Sequence, residues 1–168
     1  MVITGVYGTG KSSVAEEMAD RLERERVSYA AIDLDWLGWF DTGGGGNEEA
    51  AERVFLANLR AIVDNYLRAG VERFVLAGSV ADRDELGRLA AVVPIPLRVV
   101  WLHAPFEDIE RRLLAAPTTG RRNDLQVAEK WLAEGIGTGI DDFAVENTGS
   151  IQDAATTILD WLGRTPTH

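Results

Sequence analysis

The stretch that decides the fold is Gly5-Val6-Tyr7-Gly8-Thr9-Gly10-Lys11-Ser12. Its spacing is G-x-x-x-x-G-K-S, the phosphate-binding loop called the Walker A motif. An apolar run over residues 1–6 leads in, and an amphipathic pattern opens at Lys11. The loop therefore joins a strand to a helix, which is the setting this motif requires. Gly5, Gly8 and Gly10 let the backbone curl until successive N–H groups face one phosphate, where side chains would block the approach. The helix N-terminus adds unpaired N–H groups and a partial positive charge. Lys11 is expected to reach the β- and γ-phosphates, and the Ser12 hydroxyl to ligate Mg²⁺. Gly5, Gly8, Thr9, Gly10, Lys11, Ser12 and Ser13 form the expected nucleotide site.

The basic residues support this reading. The chain has 17 Lys and Arg, and only Lys11 and Lys130 are lysines. A chain that uses arginine almost everywhere keeps lysine in the loop. A compact charge on a flexible stem suits a phosphate bridge, whereas arginine's planar fork is a different tool.

Working outward, 168 residues with 46% hydrophobic and 26% charged content suit one domain, residues 1–168, around one core. A net charge of −10 argues against a general nucleic-acid or membrane-surface partner. No cysteine is present, which excludes a disulfide, thiol catalysis or a zinc–thiolate site. No apolar run approaches about 18 residues, so no transmembrane helix is expected. The first residues lack the basic start of a signal peptide, and a cytoplasmic enzyme is the simplest expectation. Monomer and homodimer both remain open.

Strand and helix patterns alternate. Strands are expected at 1–6, 27–33, 71–77, 97–102 and 143–146, and helices at 11–26, 47–69, 82–92, 106–115, 125–134 and 150–162. The first helix carries Val14, Ala15, Met18, Ala19 and Leu22 on one face. The second carries Val54, Phe55, Leu59, Ile62, Val63 and Tyr66. Asp82 with Glu85, and Ser150 with Asp153, have capping-box spacing. Continuous apolar strands between helices imply a parallel α/β sheet covered on both faces, with the ligand beyond the strands' C-terminal ends.

On the loop and this element order, the chain resembles the small-molecule P-loop kinases: shikimate, gluconate, adenylylsulfate and chloramphenicol kinases, with nucleoside monophosphate kinases as relatives. The resemblance implies a three-layer P-loop NTPase fold. Its five-stranded parallel sheet would have the order 2-3-1-4-5, with helices on both faces and a short lid at about residues 112–124. It also implies ATP and Mg²⁺ as cofactors, an acceptor region at about residues 33–50, and γ-phosphoryl transfer to a hydroxyl of a small molecule. A nucleoside monophosphate kinase is one alternative; a non-kinase ATP-binding switch or ATPase module is another. The third strand ends in Gly78-Ser79 without an acid, which counts against the switch.

Asp33 and Asp35 leave the second strand on the same side. The resemblance makes Asp33 a metal ligand or general base and Asp35 an acceptor ligand. Trp36, Trp39 and Phe40 follow at helical spacing, with four glycines at 43–46 as a hinge. Trp36 and Trp39 are expected to wall the acceptor pocket. By the resemblance, Ser79 and Arg83 also face the acceptor. Arg112 and Asn147 face the nucleotide, with the 147–149 loop reading adenine through its backbone. Arg121 or Arg122, in a reshaped lid loop, neutralises charge on the transferring group.

Overall fold

A computed structural model of the chain describes residues 1–41, 47–115 and 119–164; within the last segment the side chains of Thr119, Arg121 and Arg164 are not described. Among the described residues, the strands β1 (Val2–Thr4), β2 (Tyr29–Asp33), β3 (Arg73–Ala77), β4 (Val99–His103) and β5 (Phe143–Glu146) form one sheet. The sheet is parallel throughout, as the apolar strands implied, and has the order β2-β3-β1-β4-β5 that the resemblance implied.

Why these strands read as unbroken apolar runs is clear from their faces. Successive side chains point to opposite sides of a sheet. On one side Val2, Phe74, Leu76 and Val99 pack against Leu59 and Val63 of α2 (Glu48–Arg68) and Leu89 of α3 (Arg83–Val92). On the other side Ile3, Val75, Ala77 and Val100 meet Val14 and Met18 of α1 (Lys11–Arg24) and Ile158 of α6 (Ile151–Arg164). Both faces are buried along the central strands β1, β3 and β4, whereas the edge strands β2 and β5 alternate buried with more exposed residues. A third cluster joins Val6 to Ile109 and Leu113 of α4 (Phe106–Leu114) and Ala128 of α5 (Thr119–Glu134).

Register decides where chemistry can gather. Asp33 pairs with Ala77, and Ile3 pairs with both Ala77 and Val100. The phosphate loop, Asp33 and Gly78-Ser79 therefore emerge at one edge of the sheet.

Helix ends follow the expected chemistry with one adjustment. Asp82 caps α3 by accepting from Glu85 N at 2.8 Å, but the Glu85 carboxylate reaches past the cap residue to Ala81 N at 2.7 Å. Ser150 and Asp153 cap reciprocally at the start of α6: Asp153 N donates to Ser150 Oγ, and Ser150 N donates to Asp153 Oδ2.

Three expectations shift. α5 begins at Thr119, so Gly120, Arg121 and Arg122 are helical and do not belong to a reshaped loop. On α2, Val54 and Tyr66 are exposed at 39% and 41%. Val54 lies one residue, or about 100°, from the inward stripe of Phe55, Leu59, Ile62 and Val63, and Tyr66 sits in the last turn beside the exit at Ala69. The stretch after β2 is not α-helical but a 3₁₀ turn over Leu34–Gly38. The glycine run at 43–46 and residues 116–118 of the expected lid lie outside the described residues.

Candidate active site

α1 opens without a side-chain cap; its cap residue is Gly10, at φ 95°. By contrast, Asn47 and Asp82 close α2 and α3 with their own side chains. The N–H groups of the first turn of α1 are thus left for an anion. Gly8, at φ +83°, lies so close to α4 that a Cβ would stand 2.9 Å from Ile109 Cγ2. Only glycine satisfies both the backbone conformation and that contact.

Lys11 is 7% exposed and folds back over its own loop. Its Nζ donates to Gly5 O at 3.0 Å and Val6 O at 3.1 Å, and stands 5.2 Å from the centre of the Tyr7 ring. Thr9 is buried and turned inward, its Oγ1 donating to Val6 O at 2.9 Å. Ser12 Oγ donates to Asp33 Oδ2 at 2.7 Å, while Asp33 Oδ1 accepts from Asp35 N at 3.0 Å. One carboxylate therefore joins the loop to the 3₁₀ turn.

A cavity of about 630 Å³ surrounds the loop, lined among others by Tyr7, Lys11, Ser12, Ser13, Arg112 and Asn147. Tyr7 was not singled out from sequence. Burial holds its hydroxyl above the usual tyrosine range, and the charges of Asp35, Asp124 and Glu85 push the same way. Asn147, 2% exposed, follows β5 and donates from Nδ2 to Thr9 O at 2.8 Å. Its side chain thus holds the loop, which the expectation of a purely main-chain role had missed. Arg112 also bonds main-chain carbonyls of this region.

A second cavity of about 640 Å³ lies across the sheet edge, lined by Asp35, Glu52, Phe55, Ser79, Glu85 and Arg88 among others. Asp35 lines both cavities. Glu48, Glu49 and Glu52 enter from the start of α2, and Glu52 accepts from Arg88 Nε. Ser79 also donates from Oγ to Gly5 O at 3.1 Å. The usable signal in sequence was the spacing of Glu48, Glu52 and Phe55 on one face of α2, and of Glu85 and Arg88 on α3.

The 3₁₀ turn sorts the remaining candidates. With three residues per turn, positions i and i+3 eclipse. Leu34 and Leu37 face the core, Asp35 and Gly38 face the cavity, and Trp36 and Trp39 face solvent. The two tryptophans are 67% and 74% exposed, with ring centroids 4.9 Å apart. Neither lines a described cavity. Arg83 likewise points away, donating from Nη2 to Gly139 O at 2.5 Å. Arg122 is exposed on α5, and the Arg121 side chain lies outside the described residues.

Burial raises the Glu85 carboxyl above the ordinary carboxylate range; the Ala81 N–H opposes this, and the Asp82 and Glu52 charges reinforce it. A carboxyl raised in the fold favours its protonated form there. Its ionisation therefore lowers stability as pH climbs from the ordinary value through the raised one. Glu85→Gln keeps an acceptor for Ala81 N and removes the charge. Thermal melts are expected to show a gain at pH 8 that shrinks at pH 4.5; an equal or inverted gain would refute the raised value.

The donor set fits Mg²⁺ with a nucleotide. Mg²⁺ is commonly held by one or two protein oxygens plus substrate phosphates and water. The Ser12 hydroxyl and Asp33 carboxylate are such oxygens, already in contact. No group of three or more His, Cys, Asp and Glu able to hold a metal occurs among the described residues. No described helix is long and apolar enough to cross a membrane.

Comparison with known proteins agrees with this geometry. A family model described as an AAA domain matches residues 1–134. The chain is 26% identical over 114 residues to a probable adenylyl-sulfate kinase of Aeropyrum pernix, covering 66% of this chain and 61% of that relative's length. Among solved structures, a sugar kinase from Janibacter superposes with TM-score 0.69 at 21% identity, covering 99% of this chain and 97% of the other. The APS kinase of Mycobacterium tuberculosis, in complex with AMPPNP and APS, gives TM-score 0.60 at 24% identity, covering 96% of each chain. These structural likenesses establish the fold.

Proposed function

The chain belongs to this AAA-domain family, and from that premise we propose that it is an ATP-dependent phosphotransferase acting on a hydroxyl of a small-molecule acceptor. The observation that carries the reading is the meeting of two cavities at Asp35, one around the phosphate loop and one beside it. Relatives whose names describe them as kinases support the same reaction class.

In this reading Mg²⁺-ATP, when bound, supplies the activated phosphoryl group and part of its counter-charge. The chain supplies the rest. Loop amides and Lys11 hold the phosphates, and Ser12 with Asp33 holds the metal. Asp33, which accepts from Ser12 Oγ beside the loop, orients the attacking hydroxyl and takes its proton. Asp35 holds the acceptor. Arg121 or Arg122, from the first turn of α5, adds positive charge to the transferring group.

The second cavity narrows the acceptor. Asp35, Glu48, Glu49, Glu52 and Glu85 line it, and its Arg88 is already bonded by Glu52. A nucleoside monophosphate would need free arginines there. The lining favours a neutral or cationic hydroxyl compound over an anionic one.

Calorimetry with ADP, followed by an acceptor-dependent ADP-release screen over sugars, amino sugars, nucleosides, nucleotides and aminoglycosides, tests both statements. ADP binding with release stimulated by a neutral or cationic acceptor supports them. Absence of ADP binding removes the phosphotransferase reading. Preference for a nucleoside monophosphate removes the acceptor class alone.

A further inference from the structure

Arg112 and Asn147 reach the phosphate loop from outside, and both grip its carbonyls. Arg112 donates through Nη1 to Gly8 O at 3.3 Å and Thr9 O at 3.2 Å, and through Nη2 to Asn147 O at 2.9 Å. Asn147 Nδ2 donates to the same Thr9 O at 2.8 Å. Thr9 O therefore takes two N–H donors from different elements, α4 and the residue after β5.

The peptide plane turns this grip into a consequence for ligands. In a trans peptide the carbonyl and the following amide point in opposite directions. Holding Thr9 O outward aims the Gly10 N–H the other way, and Gly10 lines the phosphate cavity. Gly10 also makes room for the grip, because a Cβ there would lie 2.7 Å from Asn147 Nδ2.

Asn147 shows that something is held at a cost. Its Oδ1 is buried without a hydrogen-bond partner among the described residues. An unpaired buried acceptor disfavours folding, and an apolar side chain of the same size would avoid that penalty. What the apolar side chain would lose is Nδ2 on Thr9 O.

We propose that Arg112 and Asn147 are positioning residues: together they pin the Gly8 and Thr9 carbonyls outward, so that the loop amides stand ready for an anion before it arrives. This rests on the phosphate-binding reading of the loop. It assigns both residues an action through the loop, distinct from the direct nucleotide contact the sequence suggested.

The test titrates ADP and, separately, inorganic pyrophosphate, which has neither base nor sugar, into the full chain by calorimetry. Asn147→Leu removes the donor without adding charge. Arg112→Lys keeps the charge and removes the fork. Each is expected to weaken both probes by the same factor, about tenfold, while the ligand-free Asn147→Leu protein melts no lower than wild type. A loss confined to ADP would mean a contact to the base or sugar and would overturn the proposal. Unchanged affinity for both probes in folded variants would overturn it too. Should one variant fail to fold, the other decides by the same criteria. If wild type binds neither probe, the phosphate-binding reading falls and this proposal with it.

Discussion

Lys11→Ala is expected to leave a folded protein that has lost phosphoryl transfer. The reason lies in what the lysine touches. Its Nζ bonds Gly5 O and Val6 O, yet each carbonyl keeps a second donor: Ser79 Oγ at 3.1 Å for Gly5 and Thr9 Oγ1 at 2.9 Å for Val6. Removing the lysine leaves neither orphaned. Alanine is also a good residue for the first position of α1. The melting temperature should move by only a few degrees. A phosphate bound to the loop, by contrast, loses the positive charge nearest its outer oxygens. Removal of one preorganised donor costs about 10²–10³-fold in kcat, and a full charge at a triphosphate should reach at least the upper end. ADP release against a stimulating acceptor, with a parallel melt, reads both quantities. Turnover within tenfold of wild type in a folded variant would refute the role given to Lys11.

Asp33→Asn separates charge from shape at the neighbouring position. The wild-type carboxylate accepts from Ser12 Oγ at 2.7 Å and from Asp35 N at 3.0 Å. An asparagine keeps an oxygen for Asp35 N, and its amide can donate to a hydroxyl that turns around. The 3₁₀ turn and its exposed tryptophans should stay in place. What disappears, in the proposed mechanism, is a proton acceptor and a metal ligand. Loss of a positioned general base costs about 10²–10⁴-fold, and that drop is expected in kcat. ADP affinity without divalent ion should stay within about threefold, because the loop amides and Lys11 are untouched. Full activity in Asp33→Asn would leave the proton with another group, and Asp35 would be the first to examine.

The two variants probe residues that were readable before any coordinates, and the reason is local. A phosphate loop is specified by eight consecutive residues, Gly5 to Ser12, whose backbone demands are met within the segment. The caps at Asp82 and Ser150 are equally local. So is the period of Val14, Met18 and Leu22 on α1. Tryptophans 36 and 39 mark where that logic stops. A 3.6-residue period paired Trp36 with Phe40, whereas a 3₁₀ turn pairs Trp36 with Trp39 and sends both outward. Nothing in the residues themselves announces which period holds. The choice is made by Leu34 and Leu37 settling on the core.

By itself, then, the sequence determined the strand–loop–helix, the alternation that closes into a parallel sheet, and the place of Lys11, Ser12 and Asp33 at one edge. Only the tertiary structure decided that Arg112 and Asn147 hold the loop's carbonyls, that Arg83 turns to Gly139, and that acids of α2 and α3 face one another across a second cavity. The physical reason is range. Backbone conformation and apolar period are set by neighbours along the chain. The lining of a cavity is set by how whole elements pack, which depends on contacts between residues far apart in sequence.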